Sequence, residues 1–428
     1  MNRRIFLKNS STLAIPFLLN GMLAKTFGHN HWMNQLLSPN ALDNGRVLVL
    51  IQLFGGNDGL NTVVPLDGYD NYFKARQKLA IEKNKVLSIT GNKTVGLHPA
   101  LNGLRELYDT GKLAILQSVG YPEPDFSHFR STDIWMSGSD SKEVLQTGWL
   151  GRYLQQQHPG YPAGYPSAQM PDPLAIEIGT STSFAFQGLQ SPMAVNVVDP
   201  GNIFRPGSGL TDTVPAGKPG EGLSFLRQVA DQSAAYGDVL KAAYKVAPQQ
   251  VDYPANSKLA AELKTVARLI KSGLKTKIYL VNFDGFDTHA QQVNANDSST
   301  GRHAQLLATV SDAISAFQSD LEGLGIADRV TGMTFSEFGR RIISNESLGT
   351  DHGAAAPLFV FGAKVNAGIL GDNAVIPDKV TDADNIPMQT DFRSVYATVL
   401  KNWLGVEPAA LMQIMGKEYP LVKLFGGV

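Results

Sequence analysis

The chain has 428 residues, 43% of them hydrophobic and 18% charged, which excludes a mainly disordered polymer and leaves room for one large domain or two smaller ones. Lys plus Arg number 37 and Asp plus Glu 38, for a formal net charge of −1, so no basic excess exists to neutralise a phosphate backbone and nucleic acid is not an expected partner. With no cysteine there is no disulfide, thiolate zinc site, iron–sulfur cluster or cysteine nucleophile, and any metal must be held by His, Asp, Glu, Asn or hydroxyl oxygens.

The N-terminus reads as an address. Asn2-Arg3-Arg4-Ile5-Phe6-Leu7-Lys8 precedes an apolar stretch from Thr12 to Leu23, interrupted by Pro16 and Asn20. The run is too short and broken for a stable membrane span of about 20 residues. The arginine pair before Phe6-Leu7-Lys8 resembles the bacterial twin-arginine signal. Residues 1–25 are therefore expected to be an export signal recognised by the twin-arginine machinery, with the protein periplasmic or secreted; the alternative is an amphipathic N-terminal helix. Residues 26–45 read as a linker, and 46–428 as a single domain.

Arg46 to Phe54 is continuously apolar and β-branched, as a strand buried on both faces requires. Residues 99–110 follow with helical spacing of Leu101, Leu104 and Leu107, then a second buried strand, Leu113 to Val119. This order predicts a βαβ unit. Residues 159–173 and 199–221, rich in Gly and Pro, read as insertions. A short strand is predicted at Leu174 to Ile178, and helices over 222–246 and 256–272. Further strands are predicted at 277–283, 329–335 and 358–362, with helices over 303–323 and 391–404. The fold class expected is a three-layer α/β domain with a predominantly parallel sheet and helices on both faces.

Polar residues collect after strand after strand, where ligands bind in open α/β sheets. Asn57 and Asp58 follow the first, and Asp125, Ser127, His128 and Arg130 the second. Asp287 and His289 follow 277–283, Glu337 and Arg340 follow Phe335, and Asp351 and His352 precede Leu358. Asp287-Thr288-His289 and Asp351-His352 offer carboxylate and imidazole donors suited to zinc, manganese or a similar divalent ion. Asp58 is either a turn former or a ligand. Ser127 is either the N-cap of a helix over 128–137 or a nucleophile at its positive end. Arg130 is an ion-pair partner or an oxyanion clamp, and His128 a buried histidine or an acid–base. Glu337 and Arg340, three apart, either pair along one helical turn with no catalytic role or belong to the polar set at the strand ends.

These pieces together carry a family resemblance. The leader, Phe54-Gly55-Gly56-Asn57-Asp58-Gly59-Leu60-Asn61, Phe126-Ser127-His128-Phe129, Asp287-Thr288-His289, Ser336-Glu337-Phe338-Gly339-Arg340, Gly349-Thr350-Asp351-His352-Gly353 and Thr390-Asp391-Phe392-Arg393 resemble the DUF1501 family of exported bacterial proteins. That family is similar to the alkaline phosphatase and sulfatase superfamily. The resemblance implies an alkaline phosphatase-like fold and divalent metal on Asp58, Asp287, His289, Asp351 and His352. It also implies Ser127 as nucleophile, with His128 and Arg130 beside it. The superfamily places a further histidine near the C-terminus; none follows His352, leaving Asp391 as the substitute or the second metal absent. Two functions are expected from this: an exported hydrolase of phosphate or sulfate esters, or a non-catalytic binding or assembly protein that recognises an anionic ester or a glycan.

Overall fold

The computed structural model describes residues 44–201, 232, 234–246 and 249–426. The expected leader at 1–25, nearly all of the linker at 26–45 and most of the insertion at 199–221 lie outside the described residues. Among the described residues no helix is long and apolar enough to cross a membrane.

The central sheet is built from β1 (Val47–Phe54), β2 (Leu113–Gly120), β3 (Ala175–Ile178), β4 (Val195–Val197), β5 (Ile278–Asp284), β6 (Val330–Phe335), β7 (Ala356–Phe361), β8 (Gly368–Leu370) and β9 (Thr390–Asp391). Its order is β8-β2-β7-β6-β1-β5-β3-β4, with β9 added to β2. The pairings are parallel except for β7, which runs against both β2 and β6. The fold class expected from the sequence is thus observed, with one reversed strand. The βαβ unit expected from β1 to β2 is looser than predicted: the two strands share a direction but are separated by β6 and β7. A small antiparallel sheet at Val63–Pro65, Leu87–Ile89 and Asn92–Leu97 fills part of that connection.

The apolar run of β1 serves two cores, because successive side chains leave opposite faces of a strand. Val49, Ile51 and Leu53 pack with helices α1 (Asn102–Asp109), α4 (Lys258–Lys271) and α5 (Arg302–Gly323). Leu48 and Leu50 pack with α2 (His128–Ser137), α3 (Trp149–Gln157), α6 (Phe392–Thr398) and α7 (Pro408–Met415). In α5, Val310, Ile314, Phe317 and Leu321 are buried as their helical spacing predicts, whereas Leu306, on the same predicted stripe, is half-buried.

One half-buried acid in the outer layer gives a pH prediction. Glu262 on α4 has Oε2 buried with no hydrogen-bond partner, and Lys258 stands 3.6 Å from Oε1. Burial pushes its carboxyl up to about 7, with Lys258 opposing and Asp284 adding. Between its ordinary value and about 7 the folded chain holds a proton that the unfolded chain has lost. Stability from this group is therefore present at low pH and disappears as pH rises through 7. Glu262→Gln is expected to flatten that limb and to gain on the order of 2 kcal/mol at pH 8. Urea unfolding at pH 5 and pH 8 reads it; equal pH dependence in both proteins refutes it.

Candidate functional site

The carboxyl ends of β2, β6, β1 and β5 share one edge of the sheet. Because β7 is reversed, its amino end lies at the same edge, and this brings Asp351 and His352 beside the loops that follow the parallel strands. The loops approach closely. Gly55, just past β1, has φ of +121°, and a Cβ there would lie 2.2 Å from the Asp287 backbone nitrogen, so only glycine fits. A Cβ on Gly349 would likewise meet the His289 carbonyl at 2.2 Å.

Three imidazoles surround Asp287. His289 Nε2 is 3.2 Å and His352 Nε2 3.3 Å from Asp287 Oδ1, and His128 Nε2 is 3.5 Å from Oδ2. His289 Nε2 and His352 Nε2 are 2.8 Å apart. The outward nitrogen of each ring meets an oxygen that can only accept. His289 Nδ1 donates to Asp351 Oδ1 at 3.0 Å, His352 Nδ1 to the Phe126 carbonyl at 2.7 Å, and His128 Nδ1 to Glu337 Oε1 at 2.8 Å. A proton on Nδ1 alone leaves each ring an Nε2 lone pair toward Asp287, whereas a ring protonated on both nitrogens donates to Asp287 as well. Lone pairs facing one another across 2.8 Å repel unless a proton or a cation lies between them.

The donor set fits a divalent ion. Atoms bound at about 2.0–2.2 Å to a tetrahedral ion lie roughly 3.3–3.6 Å apart. The separations among Asp287 Oδ1, His289 Nε2 and His352 Nε2 are 2.8, 3.2 and 3.3 Å. A wider set of His128, Asp287 and His352 also brings its ligand atoms within 4.8 Å of one another. Carbonyl and carboxylate partners behind the imidazoles are what orients metal-binding histidines.

The surroundings set the charges. Arg340, buried, donates from Nη2 to Asp287 Oδ1 at 2.7 Å and spends its other hydrogen bonds on the carbonyls of Gly55, Gly56, Phe286 and Thr350. Burial raises the Asp287 carboxyl, but Arg340 and the histidines outweigh it and hold the pKa below the ordinary value. Glu337, fully buried, also accepts from the Gly55 N–H at 2.8 Å. Its hydrogen bond raises the His128 pKa, whereas desolvation lowers that of His352.

The structure therefore brings His128, Asp287, His289 and His352 to one point. Asp351 touches that point through His289 and stands one step behind it. Ser127 sits on the rim: it is exposed, its side chain makes no capping hydrogen bond, and the residues on either side of it both contact the cluster.

Asp58 and Arg130 are not brought there. Asp58 is fully buried and accepts two hydrogen bonds from Arg76 Nη1, at 2.8 and 2.7 Å, and one from Gln292 at 2.6 Å. Arg130 pairs with Asp133 and holds the carbonyls of Asp140, Ser141 and Glu143, tying down the turn after α2. Asp391 caps α6 and pairs with Arg393. Of the two alternatives for Glu337 and Arg340, the pair along a helical turn is not observed: no helix forms there, and the two side chains go to His128 and Asp287. Their role as supports was missed because a spacing of three suggests a helix. Their place directly after a buried strand was the available signal.

The comparisons with known proteins fit this picture in different degrees. The family described as "Protein of unknown function (DUF1501)" matches residues 227–426, a segment that contains Asp287, His289, Glu337, Arg340, Asp351 and His352 but not Ser127 or His128. No curated protein matches the chain. Among solved structures it is similar to a protein in the alkaline phosphatase superfamily from Vibrio parahaemolyticus, with 11% identity, coverage of 84% of this chain and 66% of that one, and a TM-score of 0.37. It is also similar to a sulfatase from Pseudoalteromonas sp. (10% identity, 88% and 70% covered, TM-score 0.39). A third is a phosphonate monoester hydrolase from Silicibacter pomeroyi (9%, 87% and 78%, TM-score 0.34). The chain thus spans just under two thirds of the first of these. The fold assignment rests on the strand order and directions given above.

Proposed function

We propose that this chain, matched by the DUF1501 family over residues 227–426, is an exported metal-dependent hydrolase of phosphate or sulfate esters with Ser127 as nucleophile. The observation that supports it most is the facing of His289 Nε2 and His352 Nε2 at 2.8 Å over Asp287, with both Nδ1 protons already committed. Asp287, His289 and His352 would hold a divalent ion such as zinc or manganese, which supplies Lewis-acid stabilisation of an oxyanion. Ser127 Oγ attacks the phosphorus or sulfur. His128, next in the chain and backed by Glu337, takes the hydroxyl proton and returns it to the leaving alkoxide; water then attacks the phosphoryl- or sulfuryl-serine, His128 taking the water proton and returning it to Ser127 Oγ as phosphate or sulfate leaves. The N-terminus of the ten-residue α2 favours the anionic ester, a role that Arg130 is too occupied to fill.

Metal analysis of protein folded in the cell, then a panel of phosphate and sulfate esters, tests this reading. Ser127→Ala is expected to keep its metal and lose turnover by about a hundredfold or more. Undiminished turnover in that variant removes Ser127 from the reaction.

A second reading has its own support. Arg340 already neutralises Asp287, and Asp58, expected to serve the metal site, is sealed by Arg76. These favour a non-catalytic binding or assembly protein on the same scaffold. Protein without metal, and without turnover after metal loading, would decide for it.

The proposal includes export of the domain over 46–428 by the leader at 1–25. Arg3→Lys with Arg4→Lys is expected to leave the protein in the cytoplasm. Fractionation checks this, and normal export would show that the arginine pair is not the signal.

A further inference from the structure

Beside the cluster, on the α2 face of the sheet, lies a set of buried polar groups that the proposed reaction does not use. Gln52 of β1 is 4% exposed, and its Nε2 has no hydrogen-bond partner. Its register neighbour on β5 is Asn282, whose Nδ2 donates to Glu177 Oε1 at 2.8 Å and whose Oδ1 is buried without a partner. Glu177 is fixed in turn by the backbone N–H and hydroxyl of Ser183 at 2.6 and 2.5 Å. The Asn282 amide therefore cannot turn over to satisfy its oxygen without losing Glu177. Residues paired in register on neighbouring strands share a face, so an unpaired donor and an unpaired acceptor stand side by side.

Helix α2 covers this spot. His128, Thr132 and Trp135 follow one another along one helical face. The His128 ring is 5.6 Å from that of Phe54, two residues past Gln52, and the Trp135 ring stacks 5.9 Å from Phe335, the other register neighbour of Gln52. Thr132 Oγ1, between them, and Trp135 Nε1 are both buried without partners. Asn282, Thr182 and Asn196 are half-buried, so this end of the row is covered less deeply than Gln52. Successive same-face residues of a strand are about 6.6 Å apart, so the row begins one residue pair from the Phe54–His128 contact.

We infer that Gln52 and Asn282 form a hydroxyl-recognition subsite, with the half-buried Phe54 ring as the apolar floor between it and the cluster, and that the ester is one of a sugar or other polyol. A hydroxyl group suits the pair because it accepts from Gln52 Nε2 and donates to Asn282 Oδ1 at once. An alkyl or aryl leaving group satisfies neither atom and leaves both buried and unpaired, which costs binding. The inference rests on the ester reading for the identity of the ligand. The subsite itself does not depend on turnover.

Binding rather than catalysis is therefore the test. The full mature chain is titrated calorimetrically with a hexose phosphate and a hexose sulfate, against phenyl phosphate, phenyl sulfate and inorganic phosphate. The hexose esters are expected to bind at least about tenfold more tightly than the phenyl esters, and Gln52→Leu to erase that preference without weakening phenyl ester or phosphate binding. Gln52→Leu removes an unpaired buried amide, so it is expected to fold with undiminished thermal stability. Thr132→Val serves as a second variant with a smaller loss. Equal affinity for hexose and phenyl esters in the unaltered protein overturns the inference, as does an unchanged preference in Gln52→Leu; either result assigns the row to buried water. If the protein lacks metal and turnover but keeps the hexose preference, the hydrolase reading fails and the subsite stands.

Discussion

His289→Ala is expected, on the metal-dependent reading proposed above, to weaken metal binding and lower ester turnover together, while the domain stays folded. The residue is the best probe of the cluster because its side chain is 43% exposed and makes no contribution to either core. Its removal leaves the Asp287–Arg340 pair and the His352–Phe126 hydrogen bond in place. What disappears is one of three donors that meet within 3.3 Å. A structural zinc site is worth about 10–16 kcal/mol over its whole ligand set, so losing one donor should weaken affinity by roughly 10²–10³-fold. Asp351→Asn should act in the same direction but less, by about 10–100-fold, because it only orients His289 through Nδ1. Competition with a chromogenic chelator measures both. If His289→Ala binds metal as the unaltered chain does, the ion is not held by this triad.

How far such a site is legible in sequence depends on which interactions are local. The strand over Val47–Phe54 is legible because burial on both faces demands an unbroken apolar run. The stripe of α5 is legible because one helical face meets one core. The motif residues of the cluster stand out because polar side chains directly after buried strands lie at the ligand edge of the sheet, although Asp58, placed in the same way, pairs with Arg76 instead. The direction of β7 is not legible, since an apolar strand packs equally well either way up. Yet that direction alone puts His352 at the same edge as Asp287. Glu337 and Arg340 show the reverse problem: their spacing suits a helical pair, and only the tertiary placement of His128 and Asp287 gives each a stronger partner. The small sheet around Val63–Pro65 was invisible for a different reason, as its strands are three to six residues long with mixed burial.

Asp58→Ala should unfold the domain far more readily without acting through metal. Asp58 follows a Gly-Gly-Asn turn at the ligand edge of the sheet, so its position suggests a ligand. Its partner Arg76 lies 18 residues away with no periodic relation to it, and the pairing is invisible until the chain is folded. Both side chains are fully buried. Burial raises the Asp58 carboxyl, but Arg76 and His303 outweigh it and keep the pKa below the ordinary value. Removing the carboxylate leaves Arg76 Nη1 with Asn61 alone among side chains and takes the acceptor from Gln292 Nε2. Breaking one side of a buried ion pair costs about 3–5 kcal/mol, most of it the uncompensated charge left behind. Asp58→Asn, which keeps an acceptor for Arg76, should cost less. Urea unfolding gives the stability and metal analysis of the folded fraction gives the occupancy. A variant with the original unfolding midpoint and no metal would make Asp58 a ligand after all, whereas a large loss of stability with full occupancy fixes it as the counter-ion of Arg76.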